Sequence, residues 1–243
     1  MASGDWHYLY PPLLGGTLLK RYKRFFADIE LDTDEVITAH CPNTGPMTGV
    51  CNLGGRVLVS HKPDPKRKLP YTWELSEVHD TVPTWVGVNT AVPNRVIKSA
   101  LEARLFPELG AYDQILSEVC YGSDRKSRVD FVLKGDPQQP PIYVEVKNTT
   151  WVQGPRALFP DTVTTRGQKH LRELMALVPE ARAVMLYFIN RGDCDEFAPG
   201  DGPDPEYGRL LRDAIAKGVE VLPCRFAVTP QGIRYLGLAA LHL

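Results

Sequence analysis

The stretch Ile142-Tyr143-Val144-Glu145-Val146-Lys147-Asn148 alternates apolar and polar residues. On a strand, residues two apart share a face. Ile142, Val144 and Val146 then point into a core, and Tyr143, Glu145 and Lys147 point the other way. One strand earlier, Asp130 stands inside Ser127-Arg128-Val129-Asp130-Phe131-Val132-Leu133, an apolar run where a carboxylate is costly to bury. If the two strands are hairpin neighbours, Asp130 and Glu145 converge on one point with Lys147 beside them. Two carboxylates suit a hard cation such as Mg²⁺ or Mn²⁺, which keeps several of its waters. A bound ion of this kind acidifies water and neutralises a phosphate oxygen, and the neighbouring ammonium offsets charge in the transition state. The plain alternative is a solvated Glu-x-Lys ion pair on an exposed strand face, a common and weak feature.

The elements that must position these residues are legible in outline. In the first third, Leu18 to Leu31, Val36 to Ala39, Arg56 to Ser60, Tyr71 to Val78 and Trp85 to Asn89 are short β-rich runs, separated by Pro- and Gly-rich connections. With almost no helical periodicity among them, they predict a small barrel. From about residue 89 the order changes to α-β-β-β-α-β-α-β. A helix covers Asn94 to Leu105, and strands cover Gln114 to Tyr121, Ser127 to Leu133 and Ile142 to Lys147. A second helix spans Thr165 to Val178. Ala183 to Ile189 is wholly apolar, as in a strand buried on both faces. Asp204-Pro205 opens a third helix that stops at Gly218, and Val219 to Phe226 is a last strand. Two domains are expected, 1–88 and 89–243.

Composition sets the outer limits. The 243 residues carry 28 Lys+Arg against 29 Asp+Glu, and 43% are hydrophobic, which excludes a disordered chain and a histone-like polycation. No membrane-length apolar run and no signal peptide are visible. Five scattered cysteines without a C-x-x-C pair fit reduced thiols in a cytoplasm. Local charge is less even. Lys20, Arg21, Lys23 and Arg24 interleave with Tyr22, Phe25 and Phe26, which places cations beside stacking faces, the chemistry of nucleic-acid binding. Lys66, Arg67 and Lys68 form a second cluster, and Arg125, Lys126 and Arg128 a third. Asp193 to Glu206 is an acidic loop without a base, expected to be solvated. His40-Cys41-Pro42-Asn43-Thr44 reads as a structural turn, and no role is assigned to His7 or His170. No glycine-rich phosphate loop or cofactor fingerprint supports a small-molecule enzyme of sugar metabolism, and no helix-turn-helix supports operator reading.

Asp130, a turn and Glu145-x-Lys147 within an α-β-β-β-α-β order resemble the PD-(D/E)xK nuclease core, with Val129 in place of the motif's Pro. Nearly end to end, the chain resembles the sugar fermentation stimulation protein A family. The resemblance is carried by the strings Leu18 to Asp28, His40 to Met47, Lys68 to Glu74, Val88 to Arg95, Tyr143 to Asn148, Ala157 to Asp161 and Arg166 to Leu171. It implies an N-terminal OB-like barrel joined to a restriction-endonuclease-like αβββαβ domain, and DNA as partner. It further implies that Glu102 or Glu118 could supply an additional carboxylate, and that Gln168, near the start of the second helix, could face the site. The expected activity is Mg²⁺-dependent phosphodiester hydrolysis through Asp130, Glu145, Lys147 and Gln168, with Lys20 to Arg24 and Lys66 to Lys68 on nucleic acid. The alternative is a non-catalytic DNA-binding regulator of sugar (maltose-type) metabolism on a nuclease scaffold. DNA structure preference and homo-oligomerisation stay open.

Overall fold

A computed structural model describes residues 6–80, 82–122 and 127–243. Arg125 and Lys126 of the third basic cluster lie outside the described residues.

A two-residue strand β1 (Tyr8–Leu9) precedes β2 (Leu13–Tyr22), β3 (Phe26–Leu31), β4 (Val36–His40), β5 (Arg56–His61), β6 (Tyr71–His79) and β7 (Pro83–Gly87). Strands β2 to β7 form one sheet in the order β4-β3-β2-β5-β6-β7, and a parallel β4–β6 pairing closes five of them into a barrel. Ala27, Ile29 and Leu31 from β3 and Val57 and Val59 from β5 alternate inward around Trp73, whose indole N–H donates to the Leu75 carbonyl (3.0 Å). The run from Leu18 to Leu31 is two strands, because the chain reverses at Lys23 and Arg24, both with positive φ (47° and 65°). Part of the basic run therefore sits on a turn and not along a strand.

The second sheet is built from β8 (Gln114–Tyr121), β9 (Ser127–Lys134), β10 (Ile142–Thr149), β13 (Arg182–Ile189), β15 (Glu220–Val228) and β16 (Gly232–Leu238), together with β1, in the order β1-β16-β15-β13-β10-β9-β8. Strands β10, β13 and β15 run parallel. Helix α1 (Val92–Glu102) covers one face with Val96, Ile97, Ala100 and Leu101 against Phe131, Val144, Leu186 and Phe188. Helices α2 (Thr165–Leu177) and α3 (Pro205–Ala216) cover the other with Leu171, Leu174, Leu211 and Ala214 against Ala183, Met185 and Tyr187. Covering on both sides explains why β13 is apolar from Ala183 to Ile189. The short strands β11 (Trp151–Gln153), β12 (Arg156–Phe159), β14 (Glu196–Pro199) and β17 (Ala240–Leu241) make a four-stranded side sheet. Strands of two to four residues leave too little periodicity to be read from sequence.

The two sheets share a tightly bonded seam. β1 belongs to the second sheet, pairing with β16, so the division at residue 88 is crossed by the chain's first described strand. Gly87 donates its N–H to the Asn190 carbonyl (3.1 Å), and the Asn190 amide donates back to the Gly87 carbonyl (3.0 Å) and to Asn148 Oδ1 (3.0 Å). A Cβ at Gly87 would lie 2.2 Å from the Asn190 side chain, so only glycine permits this approach. Arg191, 1% exposed, bonds Asp193 and the barrel's Asp80 at 2.6 Å each.

Candidate functional site

The site forms where β9 and β10 part. The antiparallel register pairs Ile142 with Leu133, Tyr143 with Val132 and Val144 with Phe131, then stops. The next opposed positions are Glu145 and Asp130, which therefore share a face. Instead of a ladder bond, the Val146 N–H donates to Asp130 Oδ2 (2.7 Å), and Asn94 from the first turn of α1 donates its amide to Oδ1 (2.7 Å). Alternation along β10 sends Val144 and Val146 into the α1-side core and turns Glu145 and Lys147 toward α2.

Glu145 is only 3% exposed. Its Oε1 accepts from the Lys147 ammonium (2.5 Å) and is bonded to His170 Nδ1 on α2. Protonation at Nδ1 lets His170 donate to Oε1 and leaves Nε2 to accept from Arg166 Nε (3.4 Å). Lys147 Nζ and His170 Nδ1 then stand 3.0 Å apart because both converge on the same oxygen. Burial raises the Glu145 carboxyl, but the bonds to His170 and Lys147 outweigh it and hold the pKa below the ordinary value. Asp130 moves the other way: burial, and then the Glu145 charge, push it up to about 6. These groups line a cleft of about 220 Å³ with Thr90, Asn148 and Arg166 at its walls.

One atom in this arrangement has no partner: Glu145 Oε2 is buried without a hydrogen bond. A buried carboxylate oxygen without a partner is costly unless something donates to it or coordinates it. No group of three or more His, Cys, Asp or Glu side chains at metal-binding spacing occurs among the described residues. Two carboxylates suffice for an ion of the Mg²⁺ type, whose remaining positions go to water and substrate phosphate.

The other expected residues are placed as follows. Gln168 donates its amide to Asp204 (2.9 and 3.2 Å), the N-cap of α3. It thus ties two helices together, and α2 presents Arg166 and His170 to the cleft in its place. Glu102 ends α1, exposed, eight residues from Asn94, roughly 12 Å along a helix axis. Glu118 is exposed on β8 in a left-handed conformation (φ 54°). By the β8–β9 register it lies opposite Asp130. Asn94, Arg166 and His170 were missed because their roles arise from contacts between elements far apart in sequence.

The basic run divides. Lys20 is exposed, with its ammonium 5.4 Å from the Tyr22 ring, and Tyr22 stacks on Phe26 while its hydroxyl donates to Asp28. Lys23 is exposed at the turn. Arg21 donates to the Asn43 and Gly45 carbonyls (2.9 Å each) and Arg24 to Thr44 (2.9 Å). Both arginines therefore clamp the Asn43–Gly45 loop. That loop lines a smaller cleft of about 120 Å³ that shares Thr90 and Asn148 with the carboxylate cleft, so the barrel turn leads toward the carboxylates. Lys66 and Lys68 are exposed between β5 and β6, and Arg67 bonds the Thr72 hydroxyl (3.0 Å). The acidic loop is solvated at Asp195 and Asp201, as expected, but its charge is not free: Asp193, Asp201, Glu196 and Glu206 are paired with Arg191, Arg212, Arg156 and Arg172, and the buried Asp204 caps α3. No helix of the described residues is long and apolar enough to cross a membrane.

Comparison with known proteins gives the family and the fold. Residues 19–88 match the family described as SfsA N-terminal OB domain, and residues 91–232 the family described as Sugar fermentation stimulation protein RE domain. The sugar fermentation stimulation protein homolog of Trichormus variabilis is 70% identical over 237 residues, covering 98% of each chain. That of Acaryochloris marina is 65% identical over 238 residues, covering 98% of this chain and 97% of the relative. The solved structure of Pyrococcus furiosus SfsA in complex with Ca²⁺ has a TM-score of 0.86 at 24% identity, covering 97% of this chain and 98% of that one, and so shares its fold. The chain belongs to the sugar fermentation stimulation protein (SfsA) family.

Proposed function

We propose that the protein is a DNA-binding, divalent-metal-dependent phosphodiesterase with a nuclease-like second domain. The observation that carries this reading is the parted β9–β10 pair, where Asp130 and Glu145 face each other with Glu145 Oε2 buried and unpartnered beside Lys147. Ca²⁺ in the Pyrococcus furiosus protein supports a hard-cation site on this scaffold.

Asp130 and Glu145 would hold the ion, which when bound supplies Lewis-acid polarisation of a phosphate oxygen and a more acidic water. Asn94 and the Val146 N–H fix the plane of the Asp130 carboxylate. His170 holds Glu145 Oε1 and so leaves Oε2 without a protein partner and available to the ion, as outer partners of metal ligands do. Lys147 places a positive charge where the transition state gains negative charge. Arg166, at the cleft wall, is set to take a non-bridging phosphate oxygen. Lys20 and Lys23 add sequence-independent attraction to the backbone.

The test is incubation with single-stranded, duplex and branched DNA in Mg²⁺ or Mn²⁺ and in chelator. Cutting of at least one substrate is expected with metal only, and should be lost in Lys147→Ala. Binding without cutting on every substrate would instead favour a DNA-binding regulator of sugar metabolism whose carboxylates no longer act in catalysis.

A further inference from the structure

A second cleft, of about 450 Å³, lies between the barrel and the first turn of α1. It stands back to back with the carboxylate cleft: Pro93 and Asn94 face one, Asn89 and Arg95 the other. Its floor holds Glu74, only 6% exposed, which accepts from Ser60 Oγ (2.7 Å) and Asn89 Nδ2 (2.8 Å). Both partners are neutral donors, and a carboxylate has about four lone-pair sites, so acceptor capacity remains. The Tyr10 hydroxyl, also on the lining, is buried with no partner. Burial and the nearby Glu74 charge raise its pKa and keep it a neutral O–H. Aromatic surface comes from His61, stacked on Tyr71 at 4.5 Å. Lys62, Arg67 and Arg95 bring positive charge to the same lining.

An acceptor floor, flat aromatic surface and nearby cations are complementary to a nucleotide whose base carries adjacent N–H donors. Guanine has this edge, with N1–H and the N2 amine both donating, whereas adenine turns the N1 acceptor toward the same position. We propose that this cleft binds one unpaired guanine-type nucleotide, its base edge on Glu74 and Tyr10 and its phosphate on Lys62 and Arg67. As part of a strand this rests on the DNA reading above, with the pocket selecting strands that offer an unpaired guanine next to the carboxylate cleft. As a free mononucleotide it does not.

The experiment measures equilibrium binding, in chelator, of oligothymidine carrying one central guanine, adenine or abasic position, and in parallel of free dGMP and dAMP. The guanine strand should bind about tenfold tighter than the adenine and abasic strands. That ratio should fall to about one in Glu74→Gln and by about threefold in Tyr10→Phe, which removes only the hydroxyl. Equal affinity of all three strands, with no saturable dGMP binding, would overturn the pocket and leave the DNA reading standing. Saturable dGMP binding without affinity for any strand would keep the pocket as a mononucleotide site and overturn its role in selecting DNA strands.

Discussion

The imidazole of His170 on α2 is bonded through Nδ1 to Glu145 Oε1 on β10, the same oxygen that takes the Lys147 ammonium. Glu145 Oε2 is thereby left as the one carboxylate atom of the cleft without a partner. A histidine to which the sequence assigns no role thus fixes the orientation of a proposed ligand. In the proposed mechanism, His170→Ala should lower metal-dependent cleavage about 10- to 100-fold, the usual effect of removing an outer partner of a ligand. His170→Asn can return an N–H to Oε1 and should recover part of the rate. Single-turnover rates across a metal titration check this, and equal rates in the two variants would remove His170 from the positioning role.

Burial and the Glu145 charge disfavour the Asp130 anion. Its folded pKa, about 6, lies above the roughly 3.9 of an unfolded chain, so between these values the native state binds more protons. The contribution of this group to stability therefore rises as pH falls from about 7 to 4, by on the order of 2–3 kcal/mol. Asp130→Asn should be more stable than the parent at pH 7.5 in chelator, with the difference closing near pH 4. Urea unfolding at both pH values measures it.

Across the seam between the sheets, the buried Arg191 pairs with the buried Asp193 carboxylate and with the exposed Asp80. Burial raises the Asp193 carboxyl, but Arg191 outweighs it and depresses the pKa. The stabilisation is thus present above the unfolded value of about 3.9 and is lost as pH falls through the folded one. Asp193→Asn should cost about 2 kcal/mol at pH 7, since it removes a charged hydrogen-bond partner and leaves Arg191 with Asp80 alone. The loss should shrink below about pH 4 in denaturant melts of parent and variant.

Lys20 and Lys23 are exposed, whereas Arg21 clamps a loop. The double change of Lys20 and Lys23 to Ala should weaken single-strand binding and flatten the slope of log K against log salt by roughly 1.4, about 0.7 for each phosphate no longer neutralised. Arg21→Lys keeps the charge but cannot span the Asn43 and Gly45 carbonyls. It should weaken binding with the slope unchanged. A salt titration of each variant separates the two effects.

What the sequence made legible follows period and punctuation. The alternation from Ile142 to Lys147 placed Glu145 and Lys147 on one face, and Asp204-Pro205 and Gly218 marked both ends of α3, observed at Pro205–Ala216. Relations between distant segments were not legible. The arginines that neutralise the acidic loop come from elsewhere, as Arg156 does for Glu196 and Arg172 for Glu206. Gln168 has the helix position expected of a site residue but turns to Asp204, and only the α2–α3 packing decides that. The basic run gave its charge and hid its geometry, because positive φ at Lys23 and Arg24 turns the chain in mid-run.

The proposed function stands on Asp130 and Glu145 together holding a divalent cation. Electron paramagnetic resonance of free Mn²⁺ titrated with the protein tests this without requiring turnover. One ion bound per chain is expected, with affinity falling at least tenfold in Asp130→Asn and in Glu145→Gln. Unchanged Mn²⁺ affinity in both variants would show that the two carboxylates do not form the cation site.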